Sequence, residues 1–170
     1  MRALGRLDEA ADQYRTAIAL KPDFPQAHCN LSALLIERDL HGAALEHATR
    51  AVELMPELAE AHVNRGAALA RARRSAEAEV ALRRAVVMRP DNAQALSELG
   101  GVLAELGRLD EAKACHLKAL ELDPSNPFFH LRLRDAHLLG GDPAGCEAVC
   151  RHAVSLAPRS APYGAGSPTS

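Results

Sequence analysis

Five prolines stand at a fixed interval in this chain: Pro22, Pro56, Pro90, Pro124 and Pro158, each 34 residues after the one before. Five alanines keep the same phase, at Ala17, Ala51, Ala85, Ala119 and Ala153. A third column reads Ala10, Ala44, Ala78, Ala112 and Cys146, and a fourth Leu20, Leu54, Met88, Leu122 and Leu156. A period held along the whole chain means that one supersecondary unit is used repeatedly. Such a unit buries its apolar face only by stacking on the next one. The chain is a repeat protein.

Each unit contains two stretches of apolar spacing near 3.6 residues, separated by a short turn. The clearest pair is AQALSELGGVLAELG followed by LDEAKACHLKALEL. Gly107 falls where the first stretch must stop, the usual place for a glycine just past a helix end. Gly5 and Gly141 share that phase, whereas Asp39 and Arg73 occupy it in the intervening units. Pro124 ends the second helix, because proline cannot continue it and restrains the residue before it. Composition agrees: the chain has 34 Ala and 25 Leu in 170 residues and only 3% aromatics. Strong helix formers dominate and strand formers are scarce, so an all-β fold is excluded and an α/β enzyme fold disfavoured. The small-residue columns mark close helix contacts, where a bulkier side chain would overpack at roughly 1–3 kcal/mol.

The pattern resembles the tetratricopeptide repeat, whose units have small residues at positions 8, 20 and 27 and proline at 32. The resemblance implies an all-α, right-handed α-solenoid of helix–turn–helix units. Placing the prolines at position 32 gives full units at 25–58, 59–92, 93–126 and 127–160. Position 8 is then Ser32, Gly66, Gly100 and Arg134, and position 20 is Ala44, Ala78, Ala112 and Cys146. Residues 1–24 form a half unit, a remnant of a first helix followed by the second helix LDEAADQYRTAIAL. Unit 127–160 is atypical: Arg134 stands where a small residue belongs, and its turn reads Gly140-Gly141-Asp142-Pro143. It is expected to pack worst, as end units of solenoids often do, and the tail 161–170 to be disordered. The unpaired helix of this half unit points to a piece of a longer array, or to end-to-end self-association.

In the family that this chain resembles, first helices line a concave groove that takes a peptide or protein segment. Groove positions carried onto this sequence are Gln26, Asn30, Ala33 and Glu37, then Glu60, Asn64, Ala67 and Arg71, then Gln94, Glu98 and Arg132. The phrases AHCNLSALL and AHVNRGAAL are similar to repeats of the O-linked N-acetylglucosamine transferase array, where such asparagines form a ladder. An Asn amide offers a donor and an acceptor side by side and can pair with a peptide bond. Here Asn30 and Asn64 are two rungs, and Glu98 and Arg132 interrupt the ladder. The family's clamp for a chaperone's C-terminal carboxylate needs Lys at positions 2 and 5. Cys29 and Glu60 stand there, so that clamp is absent.

Charge is uneven along the array. Residues 59–92 carry seven Arg and four acids, while units 25–58 and 93–126 each have three more acids than bases. Arg71, Arg73, Arg74, Arg83 and Arg84 form one basic band, which either meets an acidic partner segment or pairs with the acidic neighbouring units. With a net charge of −2 and no interleaved aromatics, nucleic-acid binding is not expected. Neither a membrane span nor a secretory leader is apparent, and four cysteines without an export signal suit a reducing cytoplasm.

Candidate chemistry is thin. Cys146 and Cys150 share a helix face, but they fall at packing positions 20 and 24, and no metal or cofactor is expected. His28, His62 and His130 share position 4 and read as packing residues. His116 follows Cys115, but adjacent residues on a helix point in different directions. No nucleophile-elbow, phosphate-loop or zinc-protease motif appears, so the chain is not expected to be an enzyme. Two functions remain: an adaptor binding a protein segment in its groove, or the substrate-capturing array of a larger enzyme such as a glycosyltransferase. An array so poor in aromatic anchors is expected to bind with modest affinity through a mostly polar groove.

Overall fold

The computed structural model describes residues 2–156. These residues form nine helices and no strand: α1 (Arg2–Leu20), α2 (Pro25–Glu37), α3 (His41–Leu54), α4 (Ala59–Arg71), α5 (Ser75–Met88), α6 (Ala93–Glu105), α7 (Leu109–Leu122), α8 (Pro127–Leu139) and α9 (Pro143–Leu156). From α2 onward they alternate between 13 and 14 residues. The tail expected to be disordered lies outside the described residues.

Local chemistry sets the helix ends. Between the paired helices the chain enters the left-handed region at Asp39 (φ 57°), Arg73 (φ 61°), Gly107 (φ 77°) and Gly141 (φ 65°). The register thus demands the glycine conformation even where a side chain must accept it. Leu40, Arg74 and Arg108 donate their backbone N–H back to Leu35, Leu69 and Leu103, which closes each turn in the same way. Asn92 and Asn126 cap α6 and α8, their Oδ1 atoms accepting from Ala95 N (2.9 Å) and Phe128 N (3.1 Å). At the other end, the helix runs unbroken through Gly5, where the register places a turn.

Packing gives the solenoid its sidedness. Successive first helices α2, α4, α6 and α8 touch each other in turn. Each of α3, α5 and α7 packs against the first helices on either side, but the backbones of these second helices stay apart from one another. The first-helix layer is therefore the inner, tighter one, and its free face is the groove. Ala44, Ala78 and Ala112, and likewise Ala51, Ala85 and Ala119, are all fully buried. They let adjacent helices approach while Leu31, Leu69, Leu82, Val102 and Leu103 fill the space between them.

A second size rule couples the two layers. A Cβ at Gly66 would lie 2.5 Å from Leu82 Cγ, and one at Gly100 would lie 2.6 Å from His116 Cε1. Leu82 and His116 are the bulky members of a column that holds Ala48 opposite the Ser32 unit. In the end unit that column holds Cys150, and Arg134 lies half-exposed against Asp135 at 2.7 Å. Large apolar side chains stay in water there, Leu138 and Leu139 among them.

The position-4 histidines have a specific bond. Nε2 of His28, His62 and His130 donates to the carbonyl oxygens of Pro22, Pro56 and Pro124 at 3.0, 2.9 and 2.8 Å. A carbonyl only accepts, so each ring carries its proton on Nε2. The proline column thus ends one helix and anchors the next.

Candidate functional site

The groove side of α4, α6 and α8 encloses a cavity of about 420 Å³. Its charged lining comes from Arg71, Glu98, Glu105, Arg132 and Asp135, and its floor includes Gly101 and the ring of His116. Arg71, Glu98 and Arg132 belong to the groove register, and the fold brings them together from three successive units. Gln26, Glu37 and Gln94 are exposed elsewhere along the first helices, Ala33 is partly buried and Ala67 is buried. Glu60 is engaged by Arg89 at 2.8 Å.

The two asparagines do something other than wait for a peptide. Asn64 Nδ2 donates to the carbonyl of Cys29 at 2.9 Å and to Ser32 Oγ at 3.0 Å, tying α4 to α2. Asn30 Nδ2 donates to Tyr14 Oη at 3.2 Å, tying α2 to α1. Each asparagine of the expected ladder thus ties its helix to an earlier one: Asn64 through two oxygen acceptors, Asn30 through one. Burial, with the Glu60 charge adding to it, pushes the Cys29 thiol up to about 11. That group stays protonated and inert.

Much of the basic band is spent inside the array. Arg73 meets Glu105 at 3.6 Å, Arg74 meets Glu77 at 2.7 Å, and Arg83 meets Glu79 at 2.9 Å and Glu111 at 3.2 Å. Arg108 completes a four-membered network with Glu79 and Glu111 across α5 and α7. Hydrogen bonds from these guanidinium groups hold Glu77, Glu79 and Glu111 below the usual carboxylate range. Among the described residues Arg71 and Arg132 form no ion pair, and both face the cavity. Arg132 is steadied by the ring of Phe128, 4.7 Å from its guanidinium carbon.

His116 is the residue whose surroundings the sequence reading, which sets it aside as a neighbour of Cys115, does not reveal. It is 1% exposed, and its Nδ1 has no hydrogen-bond partner. Burial lowers its pKa to about 4, with the nearby Arg132 charge acting the same way and Asp135 opposing. The ring is neutral at physiological pH. Its signal in the sequence is that the largest side chain of its column sits opposite a glycine. Cys115, beside it in sequence, lies half-buried near Arg83 and Glu111, a different neighbourhood.

The cysteines of the end unit have a simpler geometry than a metal site. Cys146 Sγ lies 3.4 Å from the carbonyl of Arg134, a contact between α8 and α9, and Cys150 is exposed. Among the described residues no cluster of three or more His, Cys, Asp or Glu side chains is arranged to hold a metal ion. No described helix is long and apolar enough to cross a membrane.

Comparison with known proteins bears on this architecture. A TPR repeat model matches residues 1–37, and a tetratricopeptide repeat model matches residues 63–127. This chain belongs to the tetratricopeptide repeat family. No curated protein sequence matches it. Solved structures do. A thermophilic TPR protein of Thermus thermophilus superposes with a TM-score of 0.79 at 25% identity, covering 93% of this chain and 87% of that one. MamA superposes at 0.76 with 22% identity, covering 91% of each chain. YrrB, described as a TPR protein with an unusual peptide-binding site, superposes at 0.70 with 19% identity over 93% of this chain and 81% of its own. The architecture is that of a TPR interaction scaffold. Its register places Cys29 and Glu60 where the carboxylate clamp requires lysines.

Proposed function

We propose that this TPR array holds a peptide or protein segment along the face formed by α2, α4, α6 and α8. The observation that carries the proposal is the cavity on that face. It is built by three successive units and half-enclosed, and three of its charged side chains, Arg71, Glu98 and Arg132, have no ion pair among the described residues. The second-helix side carries the ion-pair networks instead. YrrB's peptide-binding site supports the reading by analogy of fold. Asn64 takes no part in a ladder-type grip in this reading, since its amide N–H groups already bond Cys29 O and Ser32 Oγ.

Gly101 offers a clean test. A Cβ there meets only Arg132 Nη1, at 3.7 Å, so a larger side chain enters the groove without disturbing the helix contacts. Affinity capture with the wild type, Gly101→Tyr and Val80→Tyr is the experiment, Val80 being 72% exposed on α5. Partners lost with Gly101→Tyr and kept with Val80→Tyr support the groove. A partner set unchanged by Gly101→Tyr contradicts it.

A further inference from the structure

We infer that the cavity between α4, α6 and α8 receives an acidic side chain of the bound segment, its carboxylate held between Arg71 and Arg132. This inference rests on the groove reading above and adds the chemistry of its ligand.

The charged groups of the cavity wall are sorted by elimination. Glu105 accepts a hydrogen bond from Ser75 Oγ at 2.6 Å and lies 3.6 Å from Arg73. Asp135 accepts from Arg134 at 2.7 Å. Both acids are therefore neutralised from outside the cavity. Arg71, Arg132 and Glu98 remain, and none of them has an ion pair among the described residues. Two cations against one anion leave a single positive charge facing the groove. One carboxylate balances it, whereas a phosphate dianion beside Glu98 overshoots it.

Geometry favours the same ligand. The Arg132 guanidinium lies over the Phe128 ring and makes no ion pair among the described residues, so its fork of N–H donors is available to a planar carboxylate. Arg71 ends α4 on the opposite side of the cavity. The buried ring of His116 walls the cavity, with a nitrogen that no protein group satisfies. A charge bound there is partly shielded from water, which strengthens its hold on the two guanidinium groups.

The test is selection from a displayed library of random linear peptides on the full chain. Selected peptides are expected to share Asp or Glu at one register. Replacing that residue by Gln in a synthetic peptide is expected to weaken binding about tenfold or more. The Arg71→Ala/Arg132→Ala variant, checked for an unchanged melting temperature, is expected to lose the acidic preference. Arg132→Glu is expected to select Lys or Arg at that register instead, a reversal that a purely structural role does not produce. Peptides that Gly101→Tyr blocks but that carry no acidic consensus overturn this inference and leave the groove reading standing. An acidic consensus untouched by the double substitution also overturns it, as does tighter binding of a phosphoserine peptide than its Glu parent. If no selected peptide is blocked by Gly101→Tyr, both readings fall.

Discussion

A Cβ atom at Gly100 would lie 2.6 Å from Cε1 of His116, so the two residues are matched in size across the contact between α6 and α7. Because His116 is fully buried, it cannot swing aside as a surface side chain would. Gly100→Ala is expected to destabilise the array by about 1–3 kcal/mol, as overpacking does in rigid cores. Gly100→Ser combined with His116→Ala copies the Ser32 and Ala48 pair of the first full unit. It is expected to cost less than the sum of the single changes in urea denaturation.

The same histidine gives the array a pH dependence. His116 has a pKa near 4 in the folded chain, against about 6.5 when exposed. The unfolded chain therefore binds a proton that the folded chain refuses between those values. Stability from this group is complete above about pH 6.5 and declines as pH falls towards 4, by at most about 3 kcal/mol. The paired carboxylates of Glu77, Glu79 and Glu111 also weaken the fold in acid, so a comparison is needed. His116→Leu, which copies the pairing of Gly66 with Leu82, is expected to show a smaller fall in urea midpoint between pH 7.5 and 4.5 than the wild type.

Asn64 and Asn30 occupy the same register position but are bonded unequally. Asn64 satisfies a backbone carbonyl and a buried hydroxyl, and Asn30 a single tyrosine oxygen. Asn64→Ala is expected to cost about 1–3 kcal/mol through the unpaired groups it leaves. Asn30→Ala is expected to cost less. Equal effects in chemical denaturation would contradict the tie between α4 and α2.

Asp39 and Arg73 hold left-handed backbone at φ 57° and 61°, where the equivalent residues are Gly107 and Gly141. Asp39→Gly is expected to raise stability by about 0.5–1 kcal/mol, the strain relieved exceeding the entropy lost. Thermal melting checks this. A lower melting temperature would show that the Asp39 side chain contributes more than its strain costs.

What is legible in the sequence and what is not follow one physical division. Helices, turns and small-residue columns repeat with the unit, so they are written several times; even the left-handed turn at Arg73 is marked by its phase with Gly107. Contacts between units depend on which particular side chains meet, and a periodic reading averages these away. Asn64 reads as a ligand rung because nothing in its own unit reveals Cys29 O and Ser32 Oγ opposite. The bonds from His28, His62 and His130 to proline carbonyls join two columns that are each legible only alone. Arg71, Glu98 and Arg132 follow from register, but their isolation from counter-charges requires the partners of Arg73 and Arg134. At Gly5, where the register places a turn, α1 instead continues unbroken.

The central claim, that the first-helix face binds a segment, is tested most directly by backbone NMR while a display-selected peptide is titrated into the labelled chain. The account predicts shift changes concentrated at Arg71, Glu98, Gly101, Glu105, Arg132 and Asp135. Behind them, between α7, α8 and α9, lies a larger apolar recess of about 680 Å³ lined by Leu117, Val149 and His152. Changes centred on that recess, with the groove residues unmoved, would contradict the account.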